Sequence, residues 1–499
     1  MRSSIKYVAG SFLWSSVAKV LNAALKFISI PLLLKYFGKD DYGLITLAVS
    51  TNAYMQLLNM GMNTGAVKFF SQWIIIKDYA RIDRVARTNI SVYLGLGIIN
   101  SIALLLVAWK GASVFNITEA EFNTFRYLLY ILAGVSIINW TTFVFNQLLV
   151  ADERIAFTQK ILSIRNILNL VIVLLTIHFK WTIIQYFLYD SVVSMLVIVP
   201  YYIASKNRNL IQSILPGLYW KDFSAVFKYS LAIFVMGIFQ FTATQSRPLV
   251  LGMFSSQGAS ILADYRVVEV FPIFIISIGG MLISILLPKT SQAIQQKNRK
   301  AIEKMAYEGT KYTSILVALL CFPIIINSQA ILTLYVGESY KNLGIWLSSW
   351  VFTIVLFLHN TPVASLVLAT GKTKVLVYSS AIACVVSIII NALLTNIYGV
   401  GSAVIGYLVY IIIQVLFYYL YFNSKVLELD SLNVFKAFIY PTLIGIGAMF
   451  VVELVDVNMG AVILGVFVKI GLWLLVYLLL LMVLRVVELE KFVSVLLRK

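Results

Sequence analysis

The chain has 499 residues, of which 61% are hydrophobic and 12% charged, whereas soluble domains carry roughly a quarter charged residues. This composition excludes a soluble enzyme and describes a protein that crosses a membrane many times, with little length left for a separate catalytic domain. The net charge of +18 does not point to nucleic acid, because the Lys and Arg fall mainly between alternate apolar stretches, the pattern of loops beside an anionic leaflet.

Fourteen apolar stretches are predicted as membrane helices, at 11–36, 42–63, 89–109, 126–149, 161–179, 182–203, 229–253, 261–287, 312–335, 344–369, 374–395, 400–422, 434–454 and 460–484. The first carries Ser15, Lys19, Asn22, Lys26 and Ser29, spaced 4, 3, 4, 3 and so on one helix face. A charge at mid-bilayer costs ~2.5–3.5 kcal/mol and normally faces water or protein. Hydrogen-bonding glue between helices needs no ammonium groups, so Lys19 and Lys26 are expected to face a water-filled cavity. The second span repeats the stripe with Asn52, Gln56, Asn59 and Asn63. The fourth has Asn139, Phe143 and Asn146, and the eleventh has Ser380, Cys384, Ser387 and Asn391. Both of these stripes are expected to tie helices together. Asp190 stands as an isolated acid in the sixth span. Gln240, Thr244 and Arg247 align in the seventh, and Arg266 and Glu269 lie one turn apart in the eighth. Asp190 and Glu269 are the acids available for coupling to a proton or sodium ion. Lys469 in the fourteenth span is expected to contact lipid or to snorkel.

The charges between spans alternate. Lys68, Lys77, Arg81, Arg84 and Arg87 follow the second span, and Lys289, Lys297, Arg299, Lys300 and Lys304 follow the eighth. The intervening connections are poor in Lys and Arg. The positive-inside rule then places both termini in the cytoplasm. Pro31-Leu-Leu-Leu-Lys-Tyr-Phe37 resembles Pro248-Leu-Val-Leu-Gly-Met-Phe254 six spans later, which implies parallel repeats of six spans. The expected organisation is an N-terminal lobe at 1–210, a linker at 211–228, a C-terminal lobe at 229–430 and two further spans within 431–499. Cys321 and Cys384 lie in separate spans and imply neither a disulfide nor a metal site. Gly10, Gly43 and Gly61 sit in isolation with no phosphate-cradling loop around them. No catalytic constellation or cofactor is expected.

Three segments carry a family resemblance. Ser11-Phe-Leu-Trp-Ser-Ser, Pro31 to Phe37 and Lys39-Asp-Asp-Tyr-Gly43 resemble the opening of bacterial polysaccharide repeat-unit exporters, the O-antigen flippases. Asn59-Met-Gly-Met-Asn-Thr-Gly-Ala-Val-Lys68 is similar to their second-span ending, where an Asp often stands in place of Asn59. Leu332-Thr-Leu-Tyr-Val-Gly-Glu-Ser-Tyr340 resembles the loop after their ninth span. These proteins form a branch of the multidrug/oligosaccharidyl-lipid/polysaccharide exporter superfamily. The resemblance implies two six-helix lobes around a central cavity in a bacterial inner membrane, and a polyprenyl-diphosphate-linked oligosaccharide moved by alternating access. It also implies membrane lipids and a polysaccharide polymerase as partners. The expected headgroup-binding residues are Lys19, Lys26, Arg247 and Arg266, and the expected sugar-binding residues are Asn52, Gln56, Asn59 and Gln240. A flippase of the peptidoglycan lipid precursor, or a small-molecule exporter of the same fold, is the alternative.

Overall fold

In hydrocarbon every backbone N–H and C=O must find a partner within the protein, so apolar segments of this length become helices. The computed structural model describes residues 2–53, 56–371, 374–455 and 462–486. Side chains at some helical positions, residues 2–17 among them, lie outside the described set. The described residues form seventeen α-helices and no strand. Among the described residues, eleven helical segments are long and apolar enough to cross a membrane.

In chain order the helices are α1 (Arg2–Ala53), α2 (Gln56–Ile75), α3 (Tyr79–Lys110), α4 (Glu119–Ala151), α5 (Ile155–Phe179), α6 (Ile183–Met195), α7 (Ile198–Asn207), α8 (Trp220–Phe254) and α9 (Ser260–Gln295). They continue as α10 (Arg299–Ile326), α11 (Ser328–Val336), α12 (Gly344–Leu358), α13 (Thr361–Thr370), α14 (Lys374–Tyr398), α15 (Val400–Phe417), α16 (Ser431–Glu453) and α17 (Val462–Val483). Every predicted span falls on helix over its described residues. The sixth, ninth and tenth are each broken into two helices, at 196–197, Asn327 and 359–360. The first two spans run together in α1 across Gly38, whose φ of 82° and ψ of 179° are essentially restricted to glycine. Pro31 and Pro248 both lie inside helices, and each stands seven residues before its helix breaks or ends, at Gly38 and Ser255.

Most of the basic residues placed in loops lie on helix instead. Lys68 is on α2 and Arg81, Arg84 and Arg87 are on α3, with only residues 76–78 between the two helices. Arg299, Lys300 and Lys304 are on α10. Hydropathy falls where a helix leaves hydrocarbon, but the helix itself continues into water.

The chain divides into two compact units, Met1–Arg266 with Ile388–Ala403 and Val267–Ser387 with Val404–Lys499. In the first, small residues set the packing, as expected where lipid removes the hydrophobic drive for helix association. A Cβ on Gly61 would meet the Ser230 carbonyl, and one on Gly65 would meet the Ser230 hydroxyl. Gly61 is therefore not isolated: with Gly65 it forms a GxxxG face that brings α2 against α8. Phe70, Trp73, Tyr93 and Phe223 fill the core beside it. In the second unit α10, α16 and α17 pack around Phe322, which stacks on Trp473 with ring centroids 5.6 Å apart. Trp473 Nε1 donates to the Gly445 carbonyl at 3.1 Å.

The residues at 208–219, between α7 and α8, lie along α3. The Gln212 amide donates to Asp83 Oδ1 at 2.7 Å, Ser91 Oγ to the Gly217 carbonyl at 2.8 Å and the Tyr219 amide to Thr88 Oγ1 at 2.9 Å. Arg87 Nε donates to the Leu215 carbonyl at 3.0 Å.

Candidate functional site

Within the first unit, α1, α4, α5, α6 and α7 line a cavity of about 280 Å³ with both polar and apolar walls. Asn52 reaches it from the end of α1. Ser136, Asn139, Trp140, Phe143 and Asn146 reach it from one face of α4, Arg165 from α5 and Tyr201 from α7. The α4 stripe Asn139, Phe143, Asn146 lines this space, and Asn146 also ties α4 to α7 through a side-chain hydrogen bond with Tyr201. The eleventh-span stripe does tie helices: Ser402 Oγ donates to Asn391 Oδ1 at 2.9 Å, and Gln414 Nε2 to Ser380 Oγ at 3.4 Å.

Two hydrogen-bond networks hold the cavity wall. The fully buried Asn100 of α3 donates through Nδ2 to Asn52 Oδ1 at 2.9 Å and to Ser136 Oγ at 2.6 Å. Asn89 Nδ2 donates to Gln147 Oε1 at 2.8 Å, Gln147 Nε2 to Tyr93 OH at 2.7 Å, and Tyr93 OH to Asn59 Oδ1 at 2.7 Å. Asn89, Tyr93 and Gln147 are all fully buried. A buried network of this kind fixes side-chain orientation, since breaking any of its hydrogen bonds strands a buried polar group. Asp190 on α6 lies within electrostatic reach of Arg165. Tyr201 OH donates to the Thr158 carbonyl at 3.0 Å.

The remaining predicted residues take different environments. Lys26 is exposed on α1, and Arg266 is half-buried on α9. Arg247 is only 5% exposed, and its Nε donates to the Ala243 carbonyl at 3.1 Å. Gln240 is exposed on α8, one turn from Thr244. Glu269 is half-buried and belongs to the second unit. The side chains of Lys19 and Gln56 lie outside the described residues.

Ion pairs pin the first unit near both ends of α8, a helix of 35 residues and so ~50 Å long. Near its start, Asp222 pairs with Arg84 Nε at 2.8 Å and Arg81 Nε at 3.3 Å. Beyond its end, Lys39 Nζ pairs with Asp264 Oδ1 at 2.9 Å. There, Asn116 Nδ2 also donates to the Ser255 carbonyl at 2.7 Å, and a Cβ on Gly43 would run into the Ala259 carbonyl.

This helical arrangement recurs in solved transporters. The lipid II flippase MurJ in an inward closed conformation matches with a TM-score of 0.74 at 16% identity, over 94% of this chain and 97% of that one. An inward-facing multidrug resistance MATE family transporter of the MOP superfamily gives 0.63 at 14% identity, over 87% and 98%. A MOP superfamily transporter from Pyrococcus furiosus gives 0.56 at 13% identity, over 88% and 96%. The chain has the fold of MOP superfamily transporters. Residues 15–175 also match the MatE family model. No curated protein matches the sequence.

Sequence reasoning missed Arg165. It stands near the start of the fifth span, where a basic residue looks like a flanking loop charge, and only the cavity shows where its guanidinium goes. It also missed Lys39 as the partner of Asp264 and Asp222 as the partner of Arg81 and Arg84, because each pair joins residues more than a hundred positions apart.

Proposed function

We propose that this protein is a flippase carrying a polyprenyl-diphosphate-linked oligosaccharide from the cytoplasmic to the outer leaflet of a bacterial inner membrane, for O-antigen or related surface polysaccharide assembly. The observation that carries this reading is the set of basic side chains on helices of the predicted spans: Lys26 on α1, Arg165 on α5, Arg247 on α8 and Arg266 on α9. A diphosphate cannot cross hydrocarbon unaided. Ammonium and guanidinium groups replace its water with charge-assisted hydrogen bonds, and Arg does so in bidentate geometry. Trp140, Asn139 and Asn146 in the first-unit cavity offer an apolar face and amides to sugar rings, with Asn52, Asn59, Gln56 and Gln240 as further polar contacts. Lys19 adds to the basic set. The polyprenyl tail stays in the bilayer, for which the apolar groove lined by Tyr440, Leu443, Ile444 and Leu480 has the right chemistry.

In this reading transport proceeds by alternating access. Asp190, beside Arg165, and Glu269 couple the cycle to an ion gradient. Both termini are cytoplasmic, and a polysaccharide polymerase takes the product. A second reading, flipping of the peptidoglycan lipid precursor, is favoured by the 0.74 TM-score to the lipid II flippase.

The test is reconstitution in vesicles with three fluorescent cargoes: a polyprenyl-diphosphate oligosaccharide, the muramyl-peptide precursor on the same lipid, and a cationic dye. The first should become accessible at the opposite leaflet faster than in protein-free vesicles, and faster than the other two. Preferential movement of the precursor would establish the second reading. Dye transport with no lipid flipping would overturn both.

A further inference from the structure

We infer that the second unit holds the headgroup of a zwitterionic phospholipid bearing a primary amine, in a polar cleft beside α17. The cleft has a volume of about 530 Å³ and is lined by Gln329, Glu338, Lys341, Ser348, Glu453 and Lys469. Lys469 is the eighth residue of α17, ~10 Å along the helix from its start, in a segment whose other residues are almost all apolar. A charge at that depth is costly unless it reaches a polar environment, and this cleft supplies one. The neighbouring surface of α17 presents Val462, Ile463, Leu464 and Phe467, each more than half exposed, a wall suited to acyl chains.

The charges in the cleft select the headgroup. Two lysines face two glutamates, and Glu338 and Lys341 bind each other at 3.0 Å. Lys469 on α17 and Glu453 in the last turn of α16 then present opposite charges on two helices that pack together. A lipid phosphate takes the ammonium of Lys469, and its amine takes the carboxylate of Glu453, with Gln329 and Ser348 at hand for the remaining hydrogen bonds. An anionic headgroup without an amine would bring its negative charge beside Glu453 with no cation to offset that carboxylate. A choline headgroup carries the positive charge but has no N–H, so it cannot make the charge-assisted hydrogen bond that an amine gives a carboxylate. In the orientation proposed above, the lipid occupies the outer leaflet. This inference does not depend on the identity of the cargo.

The experiment is native mass spectrometry of the purified full chain with phosphatidylethanolamine, phosphatidylcholine and phosphatidylglycerol of identical acyl chains, supplied in competition. Ethanolamine lipid should be retained several-fold over the other two. Lys469→Ala should reduce its retention ~10-fold, the equivalent of one charge-assisted contact, and Lys469→Arg should restore most of it. Glu453→Gln should abolish the preference for ethanolamine over choline lipid while leaving choline-lipid retention unchanged. Equal retention of all three lipids by the wild-type chain, preference for the glycerol lipid, or undiminished retention in Lys469→Ala would each overturn the assignment. The wild-type competition needs no variant to fold.

Discussion

Lys26 and Arg247 are both basic residues in predicted spans, yet they stand in opposite surroundings, one exposed and the other 5% exposed. Their replacements should therefore fail differently. Lys26→Ala and Arg266→Ala should cut surface polysaccharide by ~10-fold or more, the loss of one strong contact to a charged group, with normal protein levels in the membrane. Lys26→Glu should be worse, because a carboxylate repels phosphate, and Lys26→Arg should keep part of the activity. Arg247→Ala should also lower the amount of protein, since it empties a packed site. Full polysaccharide display in both Lys26→Glu and Arg266→Glu at normal protein level would remove the basic-site argument. At this scale the sequence showed which charges are out of place in hydrocarbon. It did not show their burial, which depends on the neighbouring helices. Asn52 and Asn59 were recognisable as polar, but their donors, Asn100 and Tyr93, come from another helix and so left no mark on the local pattern.

Hydropathy located the elements and missed their breaks. A sliding sum of side-chain polarity does not register a backbone interruption such as Asn327 between α10 and α11. The break near 359–360 had a local signal in Pro362, which lacks the N–H that a continuous helix would need. Helix-to-helix contact was legible in one place, the Gly61–Gly65 spacing, and reading Gly61 alone concealed it. Gly61→Ala and Gly65→Ala should each lower the thermal unfolding midpoint in detergent, by the equivalent of ~1–3 kcal/mol for overpacking. Gly95→Ala and Gly134→Ala, where a Cβ meets nothing within 4 Å, should leave it unchanged or raise it slightly, because Ala is the better helix former by ~1 kcal/mol. An unchanged midpoint in both Gly61→Ala and Gly65→Ala would show that α2 and α8 are not held at this distance.

For the molecule as a whole, charge alternation predicts orientation. Cysteines placed at Ser256 and Asn342 should react with an impermeant thiol reagent added outside, and cysteines at Asn207 and Asn298 should not. All four positions are exposed, while the native Cys321 and Cys384 are buried and should stay silent. Labelling of Asn207→Cys from outside would reverse the orientation. The helical class of the elements followed from composition because hydrocarbon leaves backbone polar groups no partner outside the helix. How helices pack side by side rests on contacts such as those of Ser230 with Gly61 and Gly65, which polarity does not encode.

The connection between α7 and α8 is tied to Asp83, Arg87, Thr88 and Ser91 of α3, and Arg84 of the same helix then grips Asp222 just inside α8. A cord knotted at such short intervals has no slack to pay out. If α8 tilts, α3 is towed with it or the knots must come undone one after another. The joint behaves as a stiff bracket, so the freedom to swing must lie elsewhere, at breaks such as Gly38.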